Sequence, residues 1–525
     1  MLESRPLPGV GGRGEPAGQD AFSSSIPWES TLQPHGAGKP LADLVRGLGE
    51  RTSSGDGAVR VTSVTYRSDE ATPGSLFFCV PGSKVDGHDF AAAAVRAGAV
   101  ALVAERSLPL PVAQVVVPSV RDAMGPVSAE FYGRPSDRMT MVGVTGTNGK
   151  TTFTYLLESI FRAAGLRPGV IGTTGVVVDG TPEAFPRTTP EAPDLHRLLA
   201  RMLAAGVTAV AMEVSSHGLD QRRAGGVHFD CAVFTNLTRD HLDYHGSLEE
   251  YFRAKARLFD PAVASRAAIN WDSPEGRRLM REDLPTITFG LSGGADLRAE
   301  DVATDLHGLA FRVGDVRITS RLRGLFNVSN CLAALAASRS VGIAEDAATR
   351  GIAALRGVPG RLEPVEAGQD FLLVVDYAHT PDSLDNVLRA ARDLARSDRR
   401  TGRVIVAFGC GGDRDRGKRA VMGEAASRLA DLTIVTSDNP RSEDPLAIVA
   451  EIERGAREGG GRYVVEPDRR TAIRTAVREA RTGDVVVIAG KGHETGQEFA
   501  DRVVPFDDRV VAAQELQAML EGAAP

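Results

Sequence analysis

The sequence predicts an α/β protein made of three domains. Its 525 residues allow about three or four domains, at roughly 100 to 200 residues per domain. Short apolar segments alternate with helical ones, a pattern typical of parallel sheets covered by helices on both faces. We place the domains at 39–138, 139–356 and 357–525, after an extension, 1–38, whose glycine, proline and serine content predicts disorder.

The composition is that of an ordinary globular protein, with 42% hydrophobic and 25% charged residues. The 61 basic and 68 acidic residues give a net charge of -7 with both signs interspersed, so we expect no nucleic-acid partner. No apolar run approaches the roughly 18 residues of a membrane span, and the N-terminal residues show no basic start followed by an apolar stretch, so we expect no signal peptide. The four separated cysteines predict neither a zinc site nor a disulfide framework. We expect a cytoplasmic protein, without membrane insertion, and a monomer.

The first domain shows the alternation of a small α/β unit. A short strand near Val61 is followed by a turn, a strand over 75–80, an alanine-rich helix that ends at Gly98, and a strand over 99–104. In the central domain, an apolar strand over 139–144 leads into a helix that Gly165 ends. The apolar face of this helix consists of Phe153, Leu156, Leu157, Ile160, Phe161 and Ala164. Strands over 207–212 and 231–235 follow.

The turn after strand 139–144 has the character of a phosphate-binding loop. It comprises Thr145, Gly146, Thr147, Asn148, Gly149, Lys150, Thr151 and Thr152. The turn joins a strand to a helix, where backbone amides can surround phosphates. Lys150 is predicted to reach the β- and γ-phosphates of a nucleotide, and Thr151 to ligate Mg²⁺. The strict motif has glycine where Val144 stands, so this is a variant loop, and the alternative is an ordinary glycine-rich turn.

Glu213 follows strand 207–212 at the carboxyl edge, where open α/β sheets bind ligands. It is a candidate Mg²⁺ ligand or water-positioning group, and the alternative is that Glu213 and the residues after it only cap a helix. The next strand end, 236–245, carries two histidines, two aspartates and an arginine, which predict metal or phosphate contacts or, alternatively, a solvated turn.

Lys255 lies on a helix that begins with a possible capping box, Ser247 and Glu250. Its position continues an apolar stripe that consists of Leu248, Tyr251, Phe252 and Phe259. The lysine is therefore predicted to face inward. One interpretation is a stem that covers apolar surface while its ammonium group reaches water. The other is a buried, uncharged amine able to take up CO₂ and become a carbamate that binds metal.

The third domain has four predicted strands, over 371–375, 403–408, 432–436 and 484–489, each followed by a polar or glycine-rich turn. Four strand ends at one sheet edge predict a single crevice. Arg414 and Arg441 supply two carboxylate-binding guanidinium groups there, and Glu494 supplies an ammonium-binding acid. A zwitterionic amino acid is the ligand that this combination favours, although each turn alone is an ordinary turn former.

Together these segments resemble the Mur ligase family, the ATP-dependent amide-forming ligases of peptidoglycan assembly, and within it the branch that makes UDP-N-acetylmuramoyl tripeptides. The resemblance covers the chain from about Val61 to near its C-terminus. It rests on the segments 146–152, 213–217 and 235–246, and on the turns of the third domain.

The resemblance implies a small N-terminal α/β domain that binds UDP, a central P-loop ATPase domain with a parallel sheet, and a Rossmann-like C-terminal domain that binds the amino acid. ATP would phosphorylate the terminal carboxylate of a nucleotide-linked peptide, and an amine would then attack the acyl phosphate. By matching position, Lys255 resembles a carbamylated lysine, Glu213 and Thr151 resemble Mg²⁺ ligands, and His241 resembles a member of the ATP and metal site. The matched ATP-binding residues are the loop 146–152 and Asn330, Arg361 and Asp376, where Asn330 has the alternative of a helix cap.

The same resemblance implies the substrate contacts. The residues that match the UDP-muramoyl-dipeptide site are Tyr66, Ser68, Ser83, Lys84, Val85, Thr188, Thr189, Ser215, Gln221 and Arg223. Here Arg67-Ser68-Asp69 stands where the family usually shows Asp-Ser-Arg. The residues that match a meso-diaminopimelate site are Arg414, Asp438, Asn439, Pro440, Arg441, Gly490 and Glu494.

The resemblance predicts a ligase that adds meso-2,6-diaminopimelate to UDP-N-acetylmuramoyl-L-alanyl-D-glutamate. The turn over 438–441 supports that amino acid, because diaminopimelate is lysine with one more carboxylate, which Arg441 can bind. The alternatives are addition of L-lysine, a relative such as folylpolyglutamate synthase, and a non-catalytic paralogue that binds UDP-sugar.

Overall fold

The computed structural model describes residues 38–82, 85–178, 180–396 and 401–522, and it confirms an α/β fold of three domains. The predicted disordered extension, 1–38, lies outside these residues except for its last position, and so do Ser83 and Lys84. Within the described ranges, no helix has the length and apolar character needed to cross a membrane. The four cysteine thiols are free and buried.

The first domain has a five-stranded sheet in the order β2-β7-β6-β5-β4, in which β2 alone is antiparallel to its neighbour. Its strands are β2 (Thr52–Ser54), β4 (Ser63–Thr65), β5 (Ser75–Phe78), β6 (Ala101–Ala104) and β7 (Ala113–Val116), beside a pair formed by β1 (Lys39–Pro40) and β3 (Arg60–Val61). Its α-helices are α1 (Leu41–Leu44), α2 (Ala91–Arg96) and α3 (Val120–Phe131). The predicted strands over 75–80 and 99–104 are shorter than expected.

The central domain is built on a nine-stranded sheet in the order β11-β10-β9-β12-β8-β13-β14-β15-β16. Strand β10 pairs antiparallel with both β9 and β11, and all other neighbours in this sheet are parallel. The strands are β8 (Thr140–Thr145), β9 (Pro168–Gly172), β10 (Gly175–Val178), β11 (Thr181–Glu183), β12 (Ala209–Glu213), β13 (Cys231–Phe234), β14 (Ala267–Asn270), β15 (Thr286–Gly290) and β16 (Leu297–Arg298). A separate antiparallel sheet consists of β17 (Glu300–Asp305), β18 (Gly308–Val313) and β19 (Val316–Ser320). Three of these strands, β8, β12 and β13, correspond to the strands predicted over 139–144, 207–212 and 231–235.

Eight α-helices accompany these sheets among the described residues: α4 (Lys150–Ala163), α5 (Ala192–Ala204), α6 (Ser216–Asp220), α7 (Leu242–His245), α8 (Leu248–Ala256), α9 (Pro274–Arg277), α10 (Phe326–Ser340) and α11 (Glu345–Ala354). The predicted apolar face of α4 is confirmed, since Phe153, Leu157 and Phe161 are fully buried. Gly165 follows the C-cap with a φ of 77°, as expected for the residue that ends this helix. Helix α10 is buried on nearly all sides and packs against α4.

The C-terminal domain has a six-stranded sheet in the order β20-β21-β25-β22-β23-β24, parallel except for β20. Its strands are β20 (Glu363–Pro364), β21 (Leu372–Asp376), β22 (Val404–Phe408), β23 (Leu432–Val435), β24 (Tyr463–Val465) and β25 (Val485–Ala489), and a hairpin follows, β26 (Gly496–Glu498) with β27 (Val503–Pro505). Its helices are α12 (Pro381–Arg396), α13 (Gly417–Leu429), α14 (Pro445–Gly459), α15 (Arg469–Glu479) and α16 (Asp508–Gly522). The four predicted strands are confirmed and lie side by side.

The sheet order brings the polar strand ends together. In the central domain, β8 lies between β12 and β13, so the turn after β8 is flanked by the turns after the other two strands. In the C-terminal domain, the adjacent parallel strands β21, β25, β22 and β23 end at the same edge. Carboxyl ends of parallel strands are where open α/β sheets bind ligands.

Candidate active site

The turn between β8 and α4 forms a loop suited to phosphates. Gly149 precedes α4 with a φ of 90°, and a Cβ at this position would lie 2.4 Å from Asn330 Oδ1, so glycine is required for both reasons. Lys150 Nζ folds back over the loop and donates to the carbonyl oxygens of Gly146 and Thr147, both at 2.9 Å. Burial lowers the pKa of Lys150 below its ordinary value. The loop therefore combines backbone amides, a helix N-terminus and a cation.

Glu213, the last residue of β12, is held beside this loop by three hydrogen bonds. Its Oε1 accepts from Thr151 Oγ1 at 2.9 Å and from the Thr173 amide at 3.0 Å, and its Oε2 accepts from Thr173 Oγ1 at 3.1 Å. The helix-cap alternative holds for Ser215, which is the N-cap of α6 and accepts from the Gly218 amide, but not for Glu213, which is the last residue of β12. Sequence reasoning missed Thr173, which no motif marks.

The donor set fits Mg²⁺. The Thr151 hydroxyl and the Glu213 carboxylate are hard oxygen ligands next to the phosphate loop, and Mg²⁺ is usually bound through one or two carboxylates together with substrate phosphates. Among the residues that the structure describes, no cluster of three or more His, Cys, Asp or Glu side chains could hold a metal ion.

Lys255 faces inward, as predicted, and its side chain is buried. Its Nζ donates to Gly146 O at 2.9 Å and lies 4.3 Å from the centroid of the Tyr251 ring. Burial and the nearby Lys150 ammonium hold the pKa of Lys255 well below its ordinary value. The interpretation in which the ammonium reaches water is therefore wrong. The predicted apolar stripe of α8 is partly wrong, because Leu248 is exposed.

His241 lies beside a group of aromatic side chains at the strand end after β13. Its ring is 4.7 Å from that of His217, and its Nε2 is 3.2 Å from Asp240 Oδ2. Burial lowers the pKa of His241 to about 3 and that of His217 to about 4, so both imidazoles are neutral at pH 7. The alternative of a solvated turn is wrong for Asp240, which is buried.

Residues of the C-terminal domain complete a cavity above the loop. Arg361 Nη2 donates to Thr151 Oγ1 at 3.1 Å, and Asn148 Nδ2 donates to Asp382 Oδ2 at 2.8 Å. The cavity is lined by residues that include Thr147, Lys150, Thr152, Glu213, Phe326, Asn330, Arg361, Asp376, Asp382 and Asn386. Sequence reasoning missed Phe326, Asp382 and Asn386, which lie on the helices α10 and α12 rather than in a glycine-rich turn.

Asn330 and Asp376 both reach this cavity. Asn330 lies in the second turn of α10, where its Nδ2 donates to Asn327 Oδ1 at 2.8 Å, so the helix-cap alternative is wrong. Asp376 accepts from the amides of Leu362 and Ala378 at 2.7 and 2.8 Å, and burial raises its pKa. The Asp376 carboxylate thus holds the backbone at Leu362 close to the turn that follows β21.

The residues matched to the dipeptide form a group next to Glu213. Thr189 Oγ1 donates to Glu213 O, and the Ser215 amide donates to Thr189 Oγ1 at 3.0 Å. Thr188 Oγ1 lies 3.1 Å from Thr173 Oγ1. The Arg223 guanidinium donates to Gln221 Oε1 at 2.6 Å.

The residues matched to the uridine side lie in the first domain. Tyr66 reaches across to the central domain, where its hydroxyl donates to Asp194 Oδ2 at 2.9 Å, and Val85 is exposed. Ser68 begins a short 3₁₀ helix, and the two residues that flank it, Arg67 and Asp69, form an ion pair. Ser83 and Lys84 lie outside the described ranges, so their proposed contacts with the substrate stay predictions.

The residues matched to diaminopimelate meet at the carboxyl edge of the C-terminal sheet. Arg441, with a φ of 50°, donates from Nε to Glu498 Oε2 and from Nη1 to Gly412 O. Asn439 Nδ2 donates to Glu494 Oε2 at 2.8 Å. Gly490 has a φ of 114°, and a Cβ there would lie 2.5 Å from Asp438 Oδ2. Arg414 is exposed, and Pro440 lies between Asn439 and Arg441 in the chain.

Family models match three segments of the chain: the Mur ligase family, catalytic domain, over residues 60–132; the Mur ligase middle domain over 144–338; and the Mur ligase, glutamate ligase domain, over 360–492. A UDP-N-acetylmuramoyl-L-alanyl-D-glutamate--2,6-diaminopimelate ligase of Geobacillus thermodenitrificans is 48% identical over 86% of this chain and 94% of its own length. The ligase of the same name from Solibacter usitatus is 47% identical over 87% of this chain and 94% of its own. A solved structure with that name has a TM-score of 0.66 at 34% identity, covering 92% of this chain and 99% of the other.

Proposed function

The chain belongs to the Mur ligase family of ATP-dependent, amide-bond-forming ligases, and we propose that it adds meso-2,6-diaminopimelate to UDP-N-acetylmuramoyl-L-alanyl-D-glutamate during peptidoglycan precursor synthesis. The relatives named for this reaction match most of the chain. The amide would form at a D-glutamate carboxylate. Cytoplasmic location, monomeric state and the domain boundaries stay predictions.

One observation of geometry carries the proposal: the phosphate loop and the carboxyl edge of the C-terminal sheet face each other. The Arg361–Thr151 and Asn148–Asp382 hydrogen bonds join the two domains at the loop itself. A phosphorylated substrate at the loop and an amine at the opposite edge would therefore meet in one crevice. Bringing two reactants together in this way accelerates a bimolecular reaction.

We assign the first step to the central domain. Lys150 and the loop amides would hold the ATP phosphates while the D-glutamate carboxylate oxygen attacks the γ-phosphorus atom and ADP leaves. Thr151, Glu213 and a carbamate on Lys255 would hold Mg²⁺, which when bound would offset phosphate charge. The lowered pKa of Lys255 favours the uncharged amine that reacts with CO₂, with release of one proton to solvent.

We assign the second step to the crevice between the two domains. The uncharged amine of diaminopimelate would attack the acyl-phosphate carbon, and the bond from carbon to phosphate oxygen would break. The amide forms as the nitrogen loses one proton, which would leave with inorganic phosphate as HPO₄²⁻. Arg441 and Arg414 would bind a carboxylate of the amino acid, and Glu494 an ammonium group. Thr188, Thr189, Ser215, Gln221 and Arg223 would hold the muramoyl dipeptide, with Tyr66, Ser68 and the segment 83–85 on its uridine side.

The proposal is tested by measuring phosphate release from purified protein with ATP, Mg²⁺ and the UDP-muramoyl dipeptide, comparing meso-diaminopimelate, L-lysine and no amino acid. Release stimulated by diaminopimelate alone is the expected result. Stimulation by lysine would keep the reaction and overturn the specificity. No phosphate release with either amino acid, together with retained binding of the UDP-dipeptide, would identify a non-catalytic relative.

A further inference from the structure

Lys491 is a buried cation at the edge where the amino acid is proposed to bind. Its side chain is 0% exposed, and its ammonium group donates to Asn439 Oδ1 at 2.9 Å, to Glu494 Oε2 at 3.0 Å and to Gly496 O at 2.6 Å. An ammonium group has three N–H donors, and three acceptors surround this one. Lys491 therefore has no donor left for a ligand and acts through its neighbours.

The orientation of Glu494 follows from these contacts. Its Oε2 accepts from both Lys491 Nζ and Asn439 Nδ2, so this oxygen is occupied within the protein. Among the described residues no hydrogen bond reaches Glu494 Oε1, and the side chain is 31% exposed. The carboxylate is thus anchored by one oxygen, which leaves the other available to an ammonium group in the crevice.

Asn439 is fixed by the same cation. Its Oδ1 accepts from Lys491 Nζ and from the Glu498 amide at 3.0 Å, which determines that its Nδ2 points to Glu494. Glu498 in turn holds Arg441, because its Oε2 accepts from Arg441 Nε at 2.9 Å. Lys491 consequently connects the acid that would bind an ammonium group to the guanidinium that would bind a carboxylate.

We propose that Lys491 is a positioning residue for the amino-acid substrate, holding Glu494 and Asn439 so that Glu494 Oε1 meets the substrate's ammonium group. This inference rests on the proposed function, because it states how that site orients its amino acid. A neutral residue in place of Lys491 leaves the Glu494 carboxylate without its buried cation. The carboxylate then turns away from the crevice or loses its fixed direction.

The test is steady-state kinetics of Lys491→Met and Lys491→Gln, with each of the three substrates varied in turn. Both variants are expected to raise the KM for diaminopimelate about tenfold or more, with the KM values for ATP and the UDP-dipeptide unchanged within about twofold. In a Glu494→Gln background, Lys491→Met is expected to add less than about twofold, since the partner through which it acts is already altered. Far-UV circular dichroism establishes that each variant is folded.

A matched control is Arg403→Met, which removes another cation from a carboxylate at the opposite end of the same sheet, where Arg403 Nη2 lies 2.7 Å from Asp484 Oδ2. It is expected to leave the KM for diaminopimelate unchanged. Equal increases in all three KM values, or full additivity with Glu494→Gln, would overturn the inference and assign Lys491 a structural role. Wild-type protein without diaminopimelate-stimulated phosphate release would instead overturn the proposed function, and the inference with it.

Discussion

Replacing Arg441 by alanine separates recognition of diaminopimelate from the rest of the reaction. The guanidinium has five N–H donors, of which Nε binds Glu498 Oε2 at 2.9 Å and Nη1 binds Gly412 O at 2.8 Å. The remaining donors are available to a substrate carboxylate. Alanine is the suitable replacement because it keeps the Cβ at a φ of 50°, so the backbone strain is unchanged.

The expected loss is that of a hydrogen bond to a charged group, about 1.5 to 3 kcal/mol. This corresponds to a KM for diaminopimelate raised about 10- to 150-fold. The KM for ATP should stay within about twofold of the wild-type value, because Arg441 is assigned to the amino acid alone. Because the side chain of Glu498 is 49% exposed, loss of its ion pair should cost stability about 1 kcal/mol or less.

The assay is phosphate release with diaminopimelate varied at saturating ATP and UDP-dipeptide, and with ATP varied at saturating diaminopimelate and UDP-dipeptide. Arg502→Ala is the control, since this exposed arginine near the same hairpin pairs with Asp501 and should leave both KM values unchanged. Equal increases in the KM values for ATP and diaminopimelate would refute the assignment of Arg441 to the amino acid.

Three further predictions concern the phosphate site and the C-terminal fold. Lys255→Ala should abolish ligation, with partial recovery on adding short carboxylic acids that stand in for a carbamate; full activity in the variant would remove the carbamate from the mechanism. Glu213→Gln should raise the Mg²⁺ concentration for half-maximal activity about tenfold, because an amide replaces a charged oxygen ligand, and an unchanged Mg²⁺ requirement would contradict this role. Arg469→Met should lower the free energy of unfolding in urea by about 3 to 5 kcal/mol, because it leaves the fully buried Asp508 without its partner at 2.6 Å. Adding Asp508→Leu should restore much of that loss, and no recovery would show that packing rather than charge is responsible.

Local patterns in the sequence were sufficient for much of the fold and of the site. The apolar face of α4 and the glycine after it follow from helical periodicity, and the four strand ends of the C-terminal domain share an edge because parallel strands must. The same kind of periodicity predicts that the side chain of Lys255 faces inward. Helix α10 had no such signal, because 12 of its 15 residues are buried and a helix buried on all sides lacks a polar face.

The sequence by itself determined the phosphate loop, the family resemblance and the residue types at each strand end, because these depend on short spacings along the chain. Only the tertiary structure decided which distant residues meet. Arg361 and Thr151 are 210 positions apart, yet their side chains form a hydrogen bond. Thr173, which no motif marks, and Lys491, to which the sequence assigned no role, hold the two carboxylates of the site. Contacts of this kind arise from the order of strands in a sheet and the docking of one domain on another, and neither leaves a periodic trace in the sequence.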